Sequence, residues 1–190
     1  MRVLRDQVPL EQRMAWSNHI FERVINLPEY RAARFMHCFL SIQSEVDTRP
    51  IIQHALDHDK RVALPIFSKG SSATQCTEIV TLNDAEFKTS ADAFGLQLPT
   101  TLRPVALSNI DLIFVPLLAF AKVLEHPHQL VLHNFKVGAH RLGYGAGYYD
   151  RVLAQIQVPK IGLGFAMQEI DLLPVEPHDM PLDVVITEKV

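Results

Sequence analysis

Cysteine is nearly missing from this chain: its 190 residues include only Cys38 and Cys76, in separate blocks. Two isolated thiols support neither a disulfide framework nor a cysteine-based zinc site, and Cys38, inside an apolar run, reads as a buried thiol. No run of Lys or Arg is sustained and the formal charge is −3, which argues against a nucleic-acid or membrane-surface partner. The longest apolar run, residues 110–121, contains Asp111 and Pro116 and is too short to cross a bilayer. The first residues are charged and lack the apolar segment of a secretory signal, so a cytoplasmic location is expected. No repeat, low-complexity tract or linker divides the chain. What remains, 48% hydrophobic and 21% charged residues, is the composition of a soluble globular protein. Its length suits one domain over residues 1–190 with a substantial core.

Hydrophobic spacing then gives an order of elements. Pro9 suits the first turn of a helix, and Leu10, Met14, Ile20, Val24 and Leu27 keep near-helical spacing until Pro28. Trp16 and Phe21 on that helix read as core or rim packing. Residues 35–41 form a continuous apolar segment, as in a parallel strand covered on both faces. Glu45, Asp47 and Thr48 follow at its carboxyl end, the edge that faces the ligand crevice in open α/β sheets. Thr48 also suits the cap of a helix starting near Pro50. A strand at 61–67, a polar loop at 68–75, an edge strand at 76–82 and an irregular crossing at 90–101 come next. Strands at 111–118, 160–165 and 182–187 complete the set, with a helix at about 147–157. The alternation predicts a three-layer α/β/α, Rossmann-like fold around a mainly parallel sheet.

The most distinctive stretch is GAHRLGYGAGYYDR, residues 138–151. Gly143, Gly145 and Gly147 alternate, a pattern that lets a backbone bend closely around a ligand and turn successive N–H groups into one anion-binding concavity. The helix expected after it would present an electropositive end. Such a glycine pattern is by itself often only a tight turn. It is not a Walker loop, having no Gly-Lys-Ser/Thr end, and its glycine spacing is not that of the dinucleotide fingerprint.

RLGYGAGYYDR resembles the signature of the 5-formyltetrahydrofolate cyclo-ligase (methenyltetrahydrofolate synthetase) family. FLSIQSEVDTRPII (39–52), VALPIF (62–67), FGLQLP (94–99), DLIFVPLLAF (111–120) and LLPVEPHDMPLDVVITE (172–188) match further family blocks in order. The resemblance implies an ATP-dependent ligase that converts 5-formyltetrahydrofolate into 5,10-methenyltetrahydrofolate with release of ADP and phosphate, acting as a monomer on small-molecule substrates. It implies ATP contacts from Arg141, Leu142, Gly143, Tyr144, Gly145, Ala146, Gly147, Tyr148 and Tyr149. Reduced-folate contacts are implied from Leu40, Glu45, Tyr144, Gly145, Ala146, Gly147 and Tyr148, and Mg2+ ligation from Asp150 and Asp179. Carboxylates are the hard ligands that Mg2+ prefers beside phosphate oxygens, and the fork of Arg141 suits phosphate. For Tyr144 and Tyr148, stacking on a ligand ring and packing beneath the loop both stand open. No general acid or base is assigned, because N10 is itself a strong nucleophile.

Three departures accompany the resemblance. The family opens with Lys-x-x-Leu-Arg, whose cations bind ATP phosphates. Counting back from Glu45 places that motif before residue 1, so Met1-Arg2-Val3-Leu4-Arg5 is a superficial match. Arg2 and Arg5 stand as substitutes, Arg5 as a further ATP contact. Residues 121–137 read as an insertion. Its histidines His126, His128 and His133, with His140 beside it, lack the carboxylates of a closed metal site, and Leu130-Val131-Leu132 suggests a flap or hairpin strand. Leu98 stands where the family tends to have glutamate, and Ala146 where glycine is common. Two rivals follow: a catalytically weakened folate- or nucleotide-binding homologue lacking the basic helix, and a sugar-phosphate isomerase or acyl-transfer enzyme acting without ATP.

Overall fold

A computed structural model describes residues 1–66, 73–83, 87–89, 97–122, 138–145 and 147–189. The N-terminal side is helical: α1 (Arg2–Asp6), α2 (Leu10–Asn26) and α3 (Pro28–Ala32). Pro9 caps α2 from outside with extended ψ 143, and Pro28 opens α3 directly after α2 ends. Proline at the first helical position has no N–H to lose. The buried face of α2 is Ser17, Ile20 and Val24. Leu10 and Met14, read from sequence as the start of that stripe, are 64% and 56% exposed, because the first turns of α2 extend past the sheet's cover. Trp16 and Phe21 pack on the core as expected, Trp16 at 5.4 Å from Phe165 between ring centroids.

The central sheet has seven strands. In chain order they are β1 (Phe35–His37), β2 (Arg61–Ile66), β3 (Gln75–Ile79), β6 (Pro104–Val105), β7 (Leu112–Pro116), β10 (Lys160–Leu163) and β11 (Val184–Ile186). Their spatial order is β11-β10-β7-β1-β2-β3-β6. The five from β11 to β2 are parallel, and β3 and β6 are added antiparallel. The expected mainly parallel sheet is present, but β3 is not the edge; the two-residue β6 covers it. Two ribbons lie outside this sheet: β4 (Phe87–Thr89) with β5 (Gln97–Pro99), and β8 (Ala119–Lys122) with β9 (Ala139–Leu142). The irregular crossing expected at 90–101 thus contains a strand, while Phe94 and Gly95 lie outside the described residues.

Strand register shows the layers. Met36 pairs with Leu112 and His37 with Ile113, so Phe114 shares the face of Met36, opposite to His37. Phe114 meets Tyr30 of α3 at 6.4 Å, whereas His37 meets Tyr149 of α5 (Tyr148–Leu153) at 5.8 Å. Helices α2, α3 and α4 (Arg49–Asp57) therefore cover one face and α5 the other. The crossovers β1–α4–β2 and β7–α5–β10 run in opposite directions along the sheet, so right-handed connections put their helices on opposite faces. One continuous cluster joins both sides, from Ile20 and Val24 through Leu112 and Phe114 to Val152 and Leu153. No helix of the described residues is long and apolar enough to cross a membrane.

Candidate active site

The β1 ladder stops at His37, four residues before the apolar run ends, and residues 38–40 continue buried at the carboxyl edge. A tight turn follows, with Glu45 N–H donating to Ile42 O and Gln43 at φ 53. Side chains fix it. The Thr48 hydroxyl donates to Phe39 O at 2.7 Å and accepts from Ser41 N at 3.1 Å, and Asp47 Oδ1 accepts from Arg49 N. Thr48 is the residue before α4, yet it makes no side-chain cap bond; its hydroxyl is spent on the strand end, and Asp47 satisfies the helix donor. Ser17 of α2 accepts from Asp47 N at 3.0 Å, so the polar residue in the buried face of α2 positions this turn.

The turn holds Glu45 with 9% exposure. Its Oε2 accepts from Ile42 N at 3.0 Å and its Oε1 from the Tyr144 hydroxyl at 2.7 Å. Burial raises the Glu45 pKa above the usual carboxylate range, opposed by those two hydrogen bonds and by the charge of Arg5. Arg5 is the surprise. It is 1% exposed, and its guanidinium donates to Ser44 Oγ at 3.0 Å, to the Tyr144 hydroxyl at 3.0 Å and to Leu117 O at 3.4 Å. Helix α1 thereby inserts a cation between the carboxyl ends of β1 and β7, and Ser44 in turn bonds Asp6. Arg2 points elsewhere, exposed and loosely paired with Asp6.

The glycine segment is carried by β9, which pairs antiparallel with β8, Phe120 opposite Arg141. Gly145 at φ +89 and Gly147 at φ +61 make the bend that side chains disfavour. Gly147 caps α5, a helix of six residues and shorter than the spacing suggested. Arg141 lies with its side chain 4% exposed, donating from Nη2 to Asp150 Oδ1 at 2.9 Å and standing 5.6 Å over the Tyr149 ring. Its Nε is buried without a hydrogen-bond partner among the described residues, as are the Tyr149 hydroxyl and both ring nitrogens of His37. Tyr148 and Tyr149 are 5% and 6% exposed, with the Tyr148 hydroxyl on Gln75 O. Of the two roles open to Tyr148, its side chain takes packing beneath the loop. Leu142 and Tyr144 are exposed at 43% and 36%, and Leu40 is buried at 8%. Ala146 and the predicted flap around Leu130 lie outside the described residues.

The C-terminal tail reaches the same place. Ala139 and Leu182 exchange backbone hydrogen bonds, and Met180 N approaches Asp150 Oδ1 at 3.4 Å. Asp179 therefore stands next in chain to a residue touching Asp150, its own Oδ2 accepting from Glu176 N. Sequence reasoning missed Gln168, whose buried amide donates to Leu117 O and Leu118 O and accepts from Phe165 N. It fixes the β7–β8 turn that Arg5 also grips. A polar residue in an otherwise apolar run was its only signal. The described residues contain no cluster of three or more His, Cys, Asp or Glu able to hold a metal by themselves. A cavity of about 490 Å³ at the antiparallel edge, lined by Gln75, Cys76, Pro104 and Leu107 among others, holds none of the candidate residues.

The model of the 5-formyltetrahydrofolate cyclo-ligase family matches residues 1–123 and 133–188. The 5-formyltetrahydrofolate cyclo-ligase of Escherichia coli is 28% identical over 193 residues, covering 98% of this chain and 96% of that one. The mouse (Mus musculus) enzyme of the same name is 29% identical over 192 residues, 94% of this chain and 85% of its own. The NMR structure of Aquifex aeolicus 5,10-methenyltetrahydrofolate synthetase matches with a TM-score of 0.75 at 26% identity, covering 98% of this chain and 84% of that one. Matched along nearly its whole length, the chain belongs to the 5-formyltetrahydrofolate cyclo-ligase family.

Proposed function

We propose that the chain catalyses ATP-dependent cyclisation of 5-formyltetrahydrofolate to 5,10-methenyltetrahydrofolate. The observation that carries the reading is the convergence, in this family member, of Arg5, Glu45 and the glycine segment on one sheet edge. The formyl oxygen of the substrate is an amide-type oxygen and leaves poorly. It attacks the γ-phosphorus of ATP, the bond from that phosphorus to the bridging oxygen breaks, and ADP departs. N10 then adds to the activated formyl carbon, the carbon–oxygen bond to phosphate breaks, and the N10 proton passes to solvent. Phosphoryl transfer of this kind is mostly positioning and charge neutralisation.

In this reading the bent backbone from Leu142 to Tyr149 wraps the triphosphate. Arg141 and Arg5 supply positive charge, and Glu45 accepts hydrogen bonds from the donor-rich pterin edge beside Leu40. The donor chemistry suits Mg2+: Asp150 and Asp179 offer hard carboxylate oxygens from neighbouring segments. Bound there, the ion neutralises phosphate charge. Burying Arg141 against Asp150 keeps the cation oriented next to that position. The same reading takes the enzyme as a cytoplasmic monomer acting on reduced folate and ATP, with no nucleic-acid or membrane partner. The match of the family model along the chain does not favour the weakened-homologue rival. Adding 5-formyltetrahydrofolate and Mg-ATP produces the ultraviolet absorption of methenyltetrahydrofolate; folate binding without any such rise overturns the proposal.

A further inference from the structure

We propose that His54 and His58 bind one divalent ion of the zinc, nickel or copper class at the C-terminal end of α4, away from the carboxyl edge of the sheet. His54 lies in the last turn of α4 and His58 is its C-cap. A separation of four residues puts two imidazoles on one face of a helix, where together they chelate a metal. The two rings are stacked, their centroids 4.0 Å apart and their planes 15° from parallel. Two nitrogens on one tetrahedral zinc ion stand about 3.3 Å apart, given a Zn–N bond of about 2.0–2.1 Å. A small tilt of either ring therefore closes the pair on an ion. Hydrogen bonds support both rings from their other nitrogen. A carbonyl oxygen only accepts, so His58 Nδ1 donates its N–H to His54 O at 2.7 Å, and the lone pair of neutral His58 is left on Nε2. His54 Nδ1 meets the Tyr30 hydroxyl of α3 at 2.8 Å; when the hydroxyl accepts, the His54 lone pair is on Nε2 as well. Neither Nε2 has a hydrogen-bond partner among the described residues. Such a carbonyl or hydroxyl behind the far nitrogen is the support that metal-bound histidines ordinarily have.

The surroundings hold the pair in place and keep a proton from competing. Phe21 of α2 stands edge-on to His54 at 5.8 Å between ring centroids. Burial, then the charge of His58, lowers the pKa of His54, so at neutral pH that ring offers a lone pair. Glu22 of α2 and Asp57 of α4 act on His54 with the sign that favours a cation, as do the carbonyl oxygens at a helix C-terminus. Lys60 acts with the opposite sign, its Nζ held by Arg31 O and Ala33 O. Imidazole suits zinc, nickel and copper, whereas Mg2+ takes oxygen ligands. This site is thus separate, in place and in chemistry, from the Mg2+ position of the proposed reaction, with solvent supplying the remaining ligands.

The test titrates chelator-treated protein with Zn2+ and with Ni2+ by calorimetry near neutral pH, in the presence of excess Mg2+. Wild type takes up one equivalent of either ion. Tyr30→Phe weakens binding about tenfold by removing the support of the His54 ring, His58→Gln weakens it further, and His54→Gln/His58→Gln abolishes it. An ion that binds only the folded chain stabilises it, so saturating Zn2+ raises the urea midpoint of wild type and not that of the double variant. His58 is exposed, so His58→Gln alone keeps the metal-free midpoint of wild type. Replacing His126, His128 and His133 together by Gln leaves the uptake unchanged. No uptake by wild type, wild-type affinity in the double variant, or loss of uptake only on replacing those three histidines each overturns the proposal.

Discussion

Neutralising Asp150 separates a structural from a catalytic role for the acid that ends the glycine segment. Asp150→Asn keeps the shape and an acceptor oxygen but removes the charge facing Arg141 Nη2 at 2.9 Å. Arg141 is 4% exposed at its side chain and its Nε already lacks a partner among the described residues, so the lost charge is not replaced by water. A charge-assisted hydrogen bond contributes about 1.5–3 kcal/mol, and the retained amide oxygen puts the loss near the lower figure. For a chain of this length that lowers the melting temperature by roughly 3–6 °C. At 25 °C the variant stays folded, so destabilisation alone leaves turnover intact. A carboxylate that helps place charge against the transferring phosphoryl group is worth on the order of 100-fold, about 2.7 kcal/mol of barrier. The assay follows methenyltetrahydrofolate absorption over a range of Mg2+ concentrations, beside a urea melt. A variant that melts lower yet turns over normally at every Mg2+ concentration refutes the metal assignment and leaves Asp150 as a partner of Arg141 only.

Three further outcomes are expected. Arg5→Ala leaves Ser44, Tyr144 and Leu117 O without their buried donor and Glu45 without its nearby cation; it costs about 2–4 kcal/mol, read as a lower urea midpoint, and an unchanged midpoint contradicts the insertion of α1. Gly145→Ala forces φ +89 on a side chain with no clash to follow, so the urea midpoint falls by a strain of about 1–2 kcal/mol and the KM for ATP rises. Gly143→Ala, whose Cβ meets Arg141 Nη1 at 2.6 Å, displaces the guanidinium that faces Asp150 without that strain, so it raises the KM with a smaller fall in midpoint; equal midpoint losses count against this loop geometry. His37, pushed down from 6.5 to about 3 by burial, stays neutral when folded and takes a proton when unfolded. Its contribution is present above pH 6.5 and is lost as pH falls from there toward 3. Stability drops by about 1 kcal/mol between roughly pH 7.5 and 5.5 on its account, and His37→Leu flattens that part of the profile; an unchanged slope refutes a neutral buried His37.

Periodicity and composition were enough for the class of fold. Continuous apolar runs at 35–41, 61–67 and 111–118 describe strands buried on both faces, and such strands are parallel because only crossover helices cover two faces at once. The glycine segment stood out through its resemblance to the family signature, since alternate glycines alone are often only a tight turn. What the linear chain left open is everything fixed by contacts between distant positions. Arg5 was offered only as a substitute ATP contact, and only the docking of α1 against Ser44, Leu117 and Tyr144 buries it. Tyr148 and Tyr144 carry the same side chain four residues apart; the turn at Gly145 and Gly147 sends one into the core and the other to Glu45. Leu10 and Met14 kept helical spacing yet face outward, because spacing specifies a stripe and not how far the neighbouring sheet extends. Local pattern sets which elements form, as backbone preference and burial act over a few residues. The pairing of a terminal cation with a loop phenol and a strand-end acid depends on three segments meeting in space, and that is decided by the packed fold alone.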